Sequence, residues 1–458
     1  MTTLVWFRDD LRLEDHPALA AGTADSDGIV ALYVLDEVSP GSRPLGGAAK
    51  WWLHGSLAKL GDALAERGVP LILRRGAART VVREVAAESG ANRVLWNRRY
   101  SAERATDAAL KAELREAGIA AHSALGNVLF EPGTILNGQS EPYRVYSAFW
   151  RACLHAAAPE APLQAPKAVR AAPRQPGSDD LSSWALRPAS PDWATGLAER
   201  WEPGEAAAIA QLERFLGERA ADYAPGRDFP ASETGSELSP YLRWGELSPR
   251  TVWHRALAAG SDTGMFLSEL GWREFAWHTL FRAPDLHTRG LNRQFDAFPW
   301  RDSPGEALTA WQLGRTGFPL VDAGMRELWE TGFMHNRVRM VTASFLTKNL
   351  LIDWRVGEAW FWDTLVDADA ASNPFNWQWV AGCGADAAPY FRIFNPLTQQ
   401  QKFDRGGEYT DRWAPDSLLT PAIVDLRASR VAALAAYDAA RGSTPGTGVS
   451  AGEPIEPG

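Results

Sequence analysis

Residues 1–35, MTTLVWFRDDLRLEDHPALAAGTADSDGIVALYVL, hold the two apolar runs whose reading decides the fold. Leu4–Phe7 and Ile29–Leu35 are short and continuously apolar, the pattern of strands buried on both faces of a parallel sheet. Leu71–Leu73 and Val94–Trp96 repeat it. Between them, Lys50–Arg67 carries Leu53, Leu57, Leu60 and Leu64 at helical spacing and is followed by Gly68, a stop signal. Thr80–Ser89 and Glu103–Ala117 read as shorter helices. This strand–helix rhythm predicts an α/β, doubly wound domain over residues 1–130. No G-x-G-x-x-G follows the first strand, so dinucleotide binding there is not supported.

Working outward, residues 156–204 are rich in Ala, Pro and Ser and lack sustained periodicity. We therefore expect 131–204 to be an interdomain connector. From Glu205 to Ala440 the pattern is almost entirely helical, which predicts an all-α domain over 205–440. The tail, 441–458, has the composition of a disordered segment. A chain of 458 residues suits this division.

The net charge of −9 argues mildly against a generic nucleic-acid binder, although a local basic surface can sit on an acidic protein. Tryptophan is in excess, 21 against 9 Tyr, which directs attention to stacking or electron transfer. Two cysteines supply neither a disulfide framework nor an iron–sulfur cluster. No run of about 18 apolar residues predicts a membrane span, and acidic residues interrupt the N-terminus before a signal-type core could form. A reducing cytoplasm is the expected location.

Four segments carry chemistry. In SELGWREFAWHTL (268–280), Glu269 and Trp272 share a helix face and can present a carboxyl and an indole to one ligand, or be a core indole beside a paired Glu. HNRVRM (335–340) places Asn336, Arg339 and Met340 along one face by the same rule, unless it is a helix with an exposed Arg edge. DADAASNPFNWQW (367–379) holds two carboxylates, an amide and two indoles. Asp367 and Asp369 lack a His or third carboxylate at metal-binding spacing, so no metal is expected and an Arg partner such as Arg339 fits better. TGSELSPYL (234–242) offers hydroxyls and backbone N–H groups ahead of a helix, a diphosphate cradle or a simple cap.

Together these segments resemble the photolyase/cryptochrome family. The resemblance runs from VWFRDDLRLEDHPAL (5–19) through PYRVYSAFWRA (142–152) to PYFRIFNPLTQQQKFD (389–404), most of the chain. It implies FAD in the helical domain, with Tyr223, Gly235, Ser236, Glu237, Leu238 and Ser239 on the diphosphate side. Glu269, Arg273, Asn336, Arg339, Asp367, Asp369 and Asn373 would complete the flavin site. Asn373 matches the position facing flavin N5, where a neutral amide does not oppose an anionic reduced flavin. UV-damaged DNA is the implied partner of what would be a monomer repairing cyclobutane pyrimidine dimers. Trp272 and Trp379 would receive a flipped-out dimer, Glu269 and Asn336 would hydrogen-bond its edges, and Met340 fits the cyclobutane class. Arg227, Arg337 and Gln399 would add DNA contacts. Trp377, Trp354 and Trp300 match an electron-transfer chain from flavin to surface.

The resemblance also implies an antenna chromophore. KWWLHGSL (50–57) and NRRYSAERATDAAL (97–110) favour methenyltetrahydrofolate over a deazaflavin, with Trp52 and Arg99 as contacts. Two departures stand out. The phosphate loop reads Thr234-Gly235-Ser236, displacing a hydroxyl by one residue, and Pro374 removes an N–H beside Asn373. The rival reading is a cryptochrome-type photoreceptor, against which Asn373, Glu269, Met340, Trp379 and the short tail speak.

Overall fold

The computed structural model describes residues 1–442 other than 25, 261 and 388–390; the tail from 443 on and the first two residues of the 389–404 motif lie outside the described residues. Five parallel strands form one sheet: β1 (Thr2–Phe7), β2 (Gly28–Leu35), β3 (Leu71–Arg75), β4 (Arg93–Asn97) and β5 (Ala120–Ala124). Their order is β3-β2-β1-β4-β5, so the winding reverses between β1 and β4. All eight residues of β2 are buried, the condition that makes its sequence continuously apolar. Alternate residues serve different cores. Leu4, Trp6, Val30 and Leu32 pack in one cluster, Val5, Phe7, Ile29 and Ala31 in another. The fifth strand was not anticipated: AAHSA has no apolar run, and its pairing with β4 over Arg93–Asn97 creates it.

The helices Gly47–Ala65, Ala78–Ser89 and Arg104–Glu116 stand where periodicity placed them. Within 131–204, Tyr146–His155 is a helix whose Tyr146, Phe149 and Cys153 are buried. The aperiodic stretch after it is pinned to the sheet. β2 pairs with β3 only from Ala31 onward, so Ile29 is left to exchange backbone hydrogen bonds with Arg170 and Ala172, at 2.8 and 2.9 Å.

From Glu205 the chain is helical. The charged loop after β1, RDDLRLEDH (8–16), docks the sheet domain onto this helical part. Arg12, 1% exposed, donates to the carbonyls of Asp15, Gly126 and Gly245. Asp15 accepts from Arg250. Gly245, at φ +61°, lies so close that a Cβ there would sit 2.1 Å from the Asp9 carbonyl oxygen. One apolar cluster continues from the sheet through Trp244 to Phe275 and Phe375. Both free cysteines are buried, and among the described residues no helix is long and apolar enough to cross a membrane.

Candidate active site

A cavity of about 450 Å³ in the helical part is lined chiefly from three helices, with further residues from the short helices Ala220–Gly226 and Ser239–Arg243, from Phe361 of Trp354–Thr364, and from the loops at 236–238 and 365–369. Gly264–Arg282 contributes Glu269, Trp272 and Arg273 from consecutive turns of one face. Asn336–Ser344, capped by His335 accepting from the Arg337 N–H, contributes Asn336, Arg337, Arg339 and Met340. Burial holds the His335 imidazole down to about 4, so it stays a neutral acceptor at that cap. Ser372–Ala381 contributes Asn373, Trp377 and Trp379. Pro374 falls in the first turn of that helix, where a missing N–H costs no intrahelical bond. Tyr223, Ser236, Leu238 and Ser239 close the remaining side. Burial and Glu269 push the Tyr223 phenol up to about 12, so it remains a hydroxyl.

The carboxylates are all engaged. Arg339 grips Asp367 through two hydrogen bonds of 3.0 and 2.8 Å, and Ser239 donates to Asp367 at 2.6 Å. Asp369 accepts from the backbone N–H groups of Ala371 and Ser372 and so caps the Ser372–Ala381 helix. No cluster able to hold a metal ion occurs among the described residues. Glu269 is paired with Arg227, and Arg337 with Asp228 at 2.7 Å. Trp272 is half-buried, one face stacked on Tyr146 with centroids 3.8 Å apart, so only its other face is open to a ligand. Trp379 has the Arg392 guanidinium 5.4 Å from its ring centre.

Not every expected residue lines the cavity. Gly235 and Glu237 do not: Glu237, at φ +54°, pairs with Arg200 at 3.0 Å and Arg219 at 3.8 Å, fixing the loop that presents Ser236. Thr234 spends its hydroxyl on Ser232 at 2.8 Å. Gln399 sits on the Pro396–Phe403 helix, outside the cavity, with its buried Oε1 unpartnered. Trp377 and Trp354 are 2% and 1% exposed in one core cluster, with the half-buried Trp300 packed against it. Gly357, one turn after Trp354, lies against Trp377, where a Cβ would come within 2.1 Å of the indole.

A second cavity, about 130 Å³, opens at the carboxyl edge of the sheet beside the β1/β4 reversal, the place where open α/β sheets take ligands. Arg99 lines it and pairs with Asp107, which Arg8 also holds; the two guanidiniums keep the Asp107 carboxyl down at about 2. Trp52 does not line it. Expected as a chromophore contact, this indole is instead a core residue, 0% exposed, packed on Trp201 and Tyr241 and donating to Glu246 at 3.1 Å. Leu242, Arg273 and Asp369 line both cavities and form the wall between them.

Sequence reasoning missed three residues. Tyr146 lay in a quoted motif and was open to recognition as a stacking partner. Glu358 holds Asn373 and is itself held by Arg43, 315 residues away in sequence, and no spacing rule connects Arg43 to the pair.

A sheet domain docked on a helical domain, with a polar-and-aromatic cavity in the latter, defines a two-domain protein built around a ligand-sized cavity. Residues 266–438 match the FAD binding domain of DNA photolyase, and residues 3–167 match DNA photolyase. The chain belongs to the DNA photolyase family. It is 48% identical to the deoxyribodipyrimidine photo-lyase of Agrobacterium fabrum, over 90% of this chain and 87% of that one. A bacterial class III photolyase from Agrobacterium tumefaciens superposes with a TM-score of 0.92 at 45% identity, covering 96% of this chain and 98% of that one. Cryptochrome-1 of Arabidopsis thaliana is 36% identical over 90% of this chain but 63% of its own length.

Proposed function

We propose that this protein repairs cyclobutane pyrimidine dimers in UV-damaged DNA, using light and FAD. The observation that carries the reading is one cavity that joins a flavin-type polar lining to two part-exposed indoles, Trp272 and Trp379. The fit of FAD rests on its donors. Arg273 Nε, Arg337 Nε and Trp377 Nε1, on residues of the cavity wall, are buried and unpartnered, an arrangement that costs free energy until a polar ligand satisfies it. Tyr223, Ser236, Leu238 and Ser239 would hold the diphosphate side; Arg339, Asp367, Asp369 and Asn373 would surround the ring.

Held by these residues in its reduced form, FAD would supply the light-driven one-electron chemistry that opens the cyclobutane ring. The chain's own task is orientation and exclusion of water. A dimer must leave the duplex to reach the cavity, at a cost of a few kcal/mol that is lower for a damaged step. Stacking against the free face of Trp272 and against Trp379, roughly 1–3 kcal/mol per base, offsets that cost. Glu269 would exchange its Arg227 partner for the thymine edge, together with Asn336, and Met340 would fill the space beside the ring. Arg227, released in this way, would join Arg337 and Gln399 at the phosphates, which supply most of the affinity for DNA. Trp377, Trp354 and Trp300 would carry electrons inward from the surface.

A cryptochrome-type photoreceptor is the second reading; Asn373, Glu269 and the paired indoles favour repair. The test is loss of dimers from irradiated oligothymidylate under blue light and in darkness. Light-dependent loss is expected, and none in either condition would refute repair.

Two places suit an antenna, by different chemistry. The sheet-edge cavity, with Arg99, has the Arg and Trp donors that a deazaflavin would use. On the surface, Trp329 and Trp360 stand parallel, 9° apart with centroids 5.9 Å apart, a platform for a flat pterin such as methenyltetrahydrofolate. We favour the folate there, so Trp329→Ala should strip the antenna absorbance from the purified protein and Arg99→Ala should not. We further assign 1–130 to the α/β unit, 131–204 to the connector and 205–440 to the catalytic unit, which would then carry the folate platform as well, of a cytoplasmic monomer.

A further inference from the structure

Tyr146 opens the Tyr146–His155 helix, in the connector, yet it reaches the supports of both cavity indoles, Trp272 and Trp379. Its ring is stacked on Trp272, with centroids 3.8 Å apart and planes 14° apart. Its hydroxyl donates to the Ser268 carbonyl at 2.5 Å and lies 2.8 Å from the Ser268 hydroxyl. Ser268 stands one turn before Trp272 on the Gly264–Arg282 helix, so hydroxyl and ring grip one helix at two successive turns. On its other side, the Tyr146 N–H is hydrogen-bonded to the carboxylate of Asp386, in the loop after the helix that carries Trp379. An N–H in the first turn of a helix has no intrahelical partner, so this acceptor anchors the helix start. Phe275 and Phe375 stand at steep angles to Trp272, 6.1 and 6.4 Å between centres. The indole is therefore held on one face and along its edges, and one face is free.

We propose that Tyr146 is a positioning residue for lesion recognition: it presets the plane of Trp272 for stacking on an extruded dimer, so that the connector helps to set affinity for damaged DNA. The inference rests on the repair reading above and deepens it. Stacking rewards an indole most when its plane is fixed before the ligand arrives. A side chain that still turns about its own torsions gives back part of the interaction as lost freedom. Trp272 is half-buried, so its cavity side cannot fix it. A flat ring in contact with the opposite face can, provided that ring is itself fixed. The bonds to Ser268 and Asp386 fix Tyr146. The same contact covers the back of Trp272 and confines stacking to the cavity side.

The test is a double-mutant cycle, read as dissociation constants of the full-length holoprotein for a dimer-containing oligonucleotide and its undamaged counterpart. Tyr146→Leu fills the space without a planar ring. It is expected to weaken binding of the damaged oligonucleotide about threefold to tenfold, the freedom of one large side chain, and to leave the undamaged one unchanged. Tyr146→Phe keeps the ring and should restore most of the loss. In a Trp272→Ala background, Tyr146→Leu should have no further effect, because it acts through the indole. A merely structural role predicts a loss for both oligonucleotides that is the same with and without Trp272. That pattern, or damaged-DNA binding untouched by Tyr146→Leu, overturns the proposal. If Trp272→Ala alone leaves the preference for damaged DNA intact, the repair reading loses its wall, and this inference falls with it.

Discussion

The two cavities share the Leu242–Arg273–Asp369 wall but differ in how they are made. The larger is built on helices, from side chains three or four residues apart. The smaller is built on strand ends, from segments near residues 6–9, 33–37 and 98–103 that only the sheet brings together. They differ also in what lies behind them. Behind the larger cavity, Trp377 and Trp354 lead through one core cluster toward the half-buried Trp300. Around the smaller, arginines outnumber their acids: Arg8 and Arg99 share Asp107, Arg8 Nε and Nη2 are buried and unpartnered, and Arg243 pairs with Asp9. A cavity with an indole path is suited to moving charge; one walled by paired ions with donors to spare is suited to holding a polar molecule still.

The sharpest way to break this contrast is the indole path. Trp354→Phe keeps an aromatic ring in the core but interrupts the relay. Photoreduction of oxidised flavin should be nearly abolished, while repair by chemically reduced enzyme persists; unimpaired photoreduction would remove the electron-transfer role. Next comes Arg339→Ala, which leaves the buried Asp367 without its guanidinium. Removing one partner of a buried pair costs about 3–5 kcal/mol, and the part-exposed Arg339 puts this case at the lower end. The protein should melt earlier and purify with little flavin, whereas absorbance from an antenna should be retained. Coupled loss of both chromophores would mean that the antenna platform is not independent of the flavin cavity. Smaller again is Trp272→Ala. Affinity for damaged oligonucleotide should fall roughly tenfold to a hundredfold, with undamaged-DNA binding and flavin content unchanged. A uniform loss across both DNAs would reassign Trp272 to the scaffold.

Legibility followed the same division. The helical positions from Glu269 to Trp379 were readable because helix periodicity states which side chains share a face, and family motifs gave their order. Strands β1 to β4 were readable as apolar runs because both of their faces are buried. β5 was not, since AAHSA owes its state to β4 rather than to its own side chains. Trp52 was misassigned for a related reason. An indole in a motif looks the same whether it faces a ligand or, as here, Trp201 and Glu246 in the core. The Arg43–Glu358–Asn373 chain was illegible because it joins residues through tertiary docking alone. Sequence distance carries no record of which loop will lie along which helix.

The mildest probe acts on the shared wall. Glu274 stands behind Arg273, accepts the backbone N–H groups of Leu129 and Phe130, and is 0% exposed. Burial pushes its carboxyl up to about 7, with Arg273 opposing the shift. The folded protein therefore holds this proton to a higher pH than the unfolded chain, whose Glu titrates near its ordinary value. Stability from this group is intact below about pH 4.5, declines as pH rises through about 7, and levels off above that. Glu274→Gln keeps an oxygen for both backbone donors and has no proton to lose. Its melting temperature should exceed that of the parent by a few degrees at pH 8, corresponding to about 2 kcal/mol, and the gap should close toward pH 4.5. A gap that stays constant with pH would show that Glu274 is ionised throughout, with Arg273 committed to it rather than to the wall between the cavities.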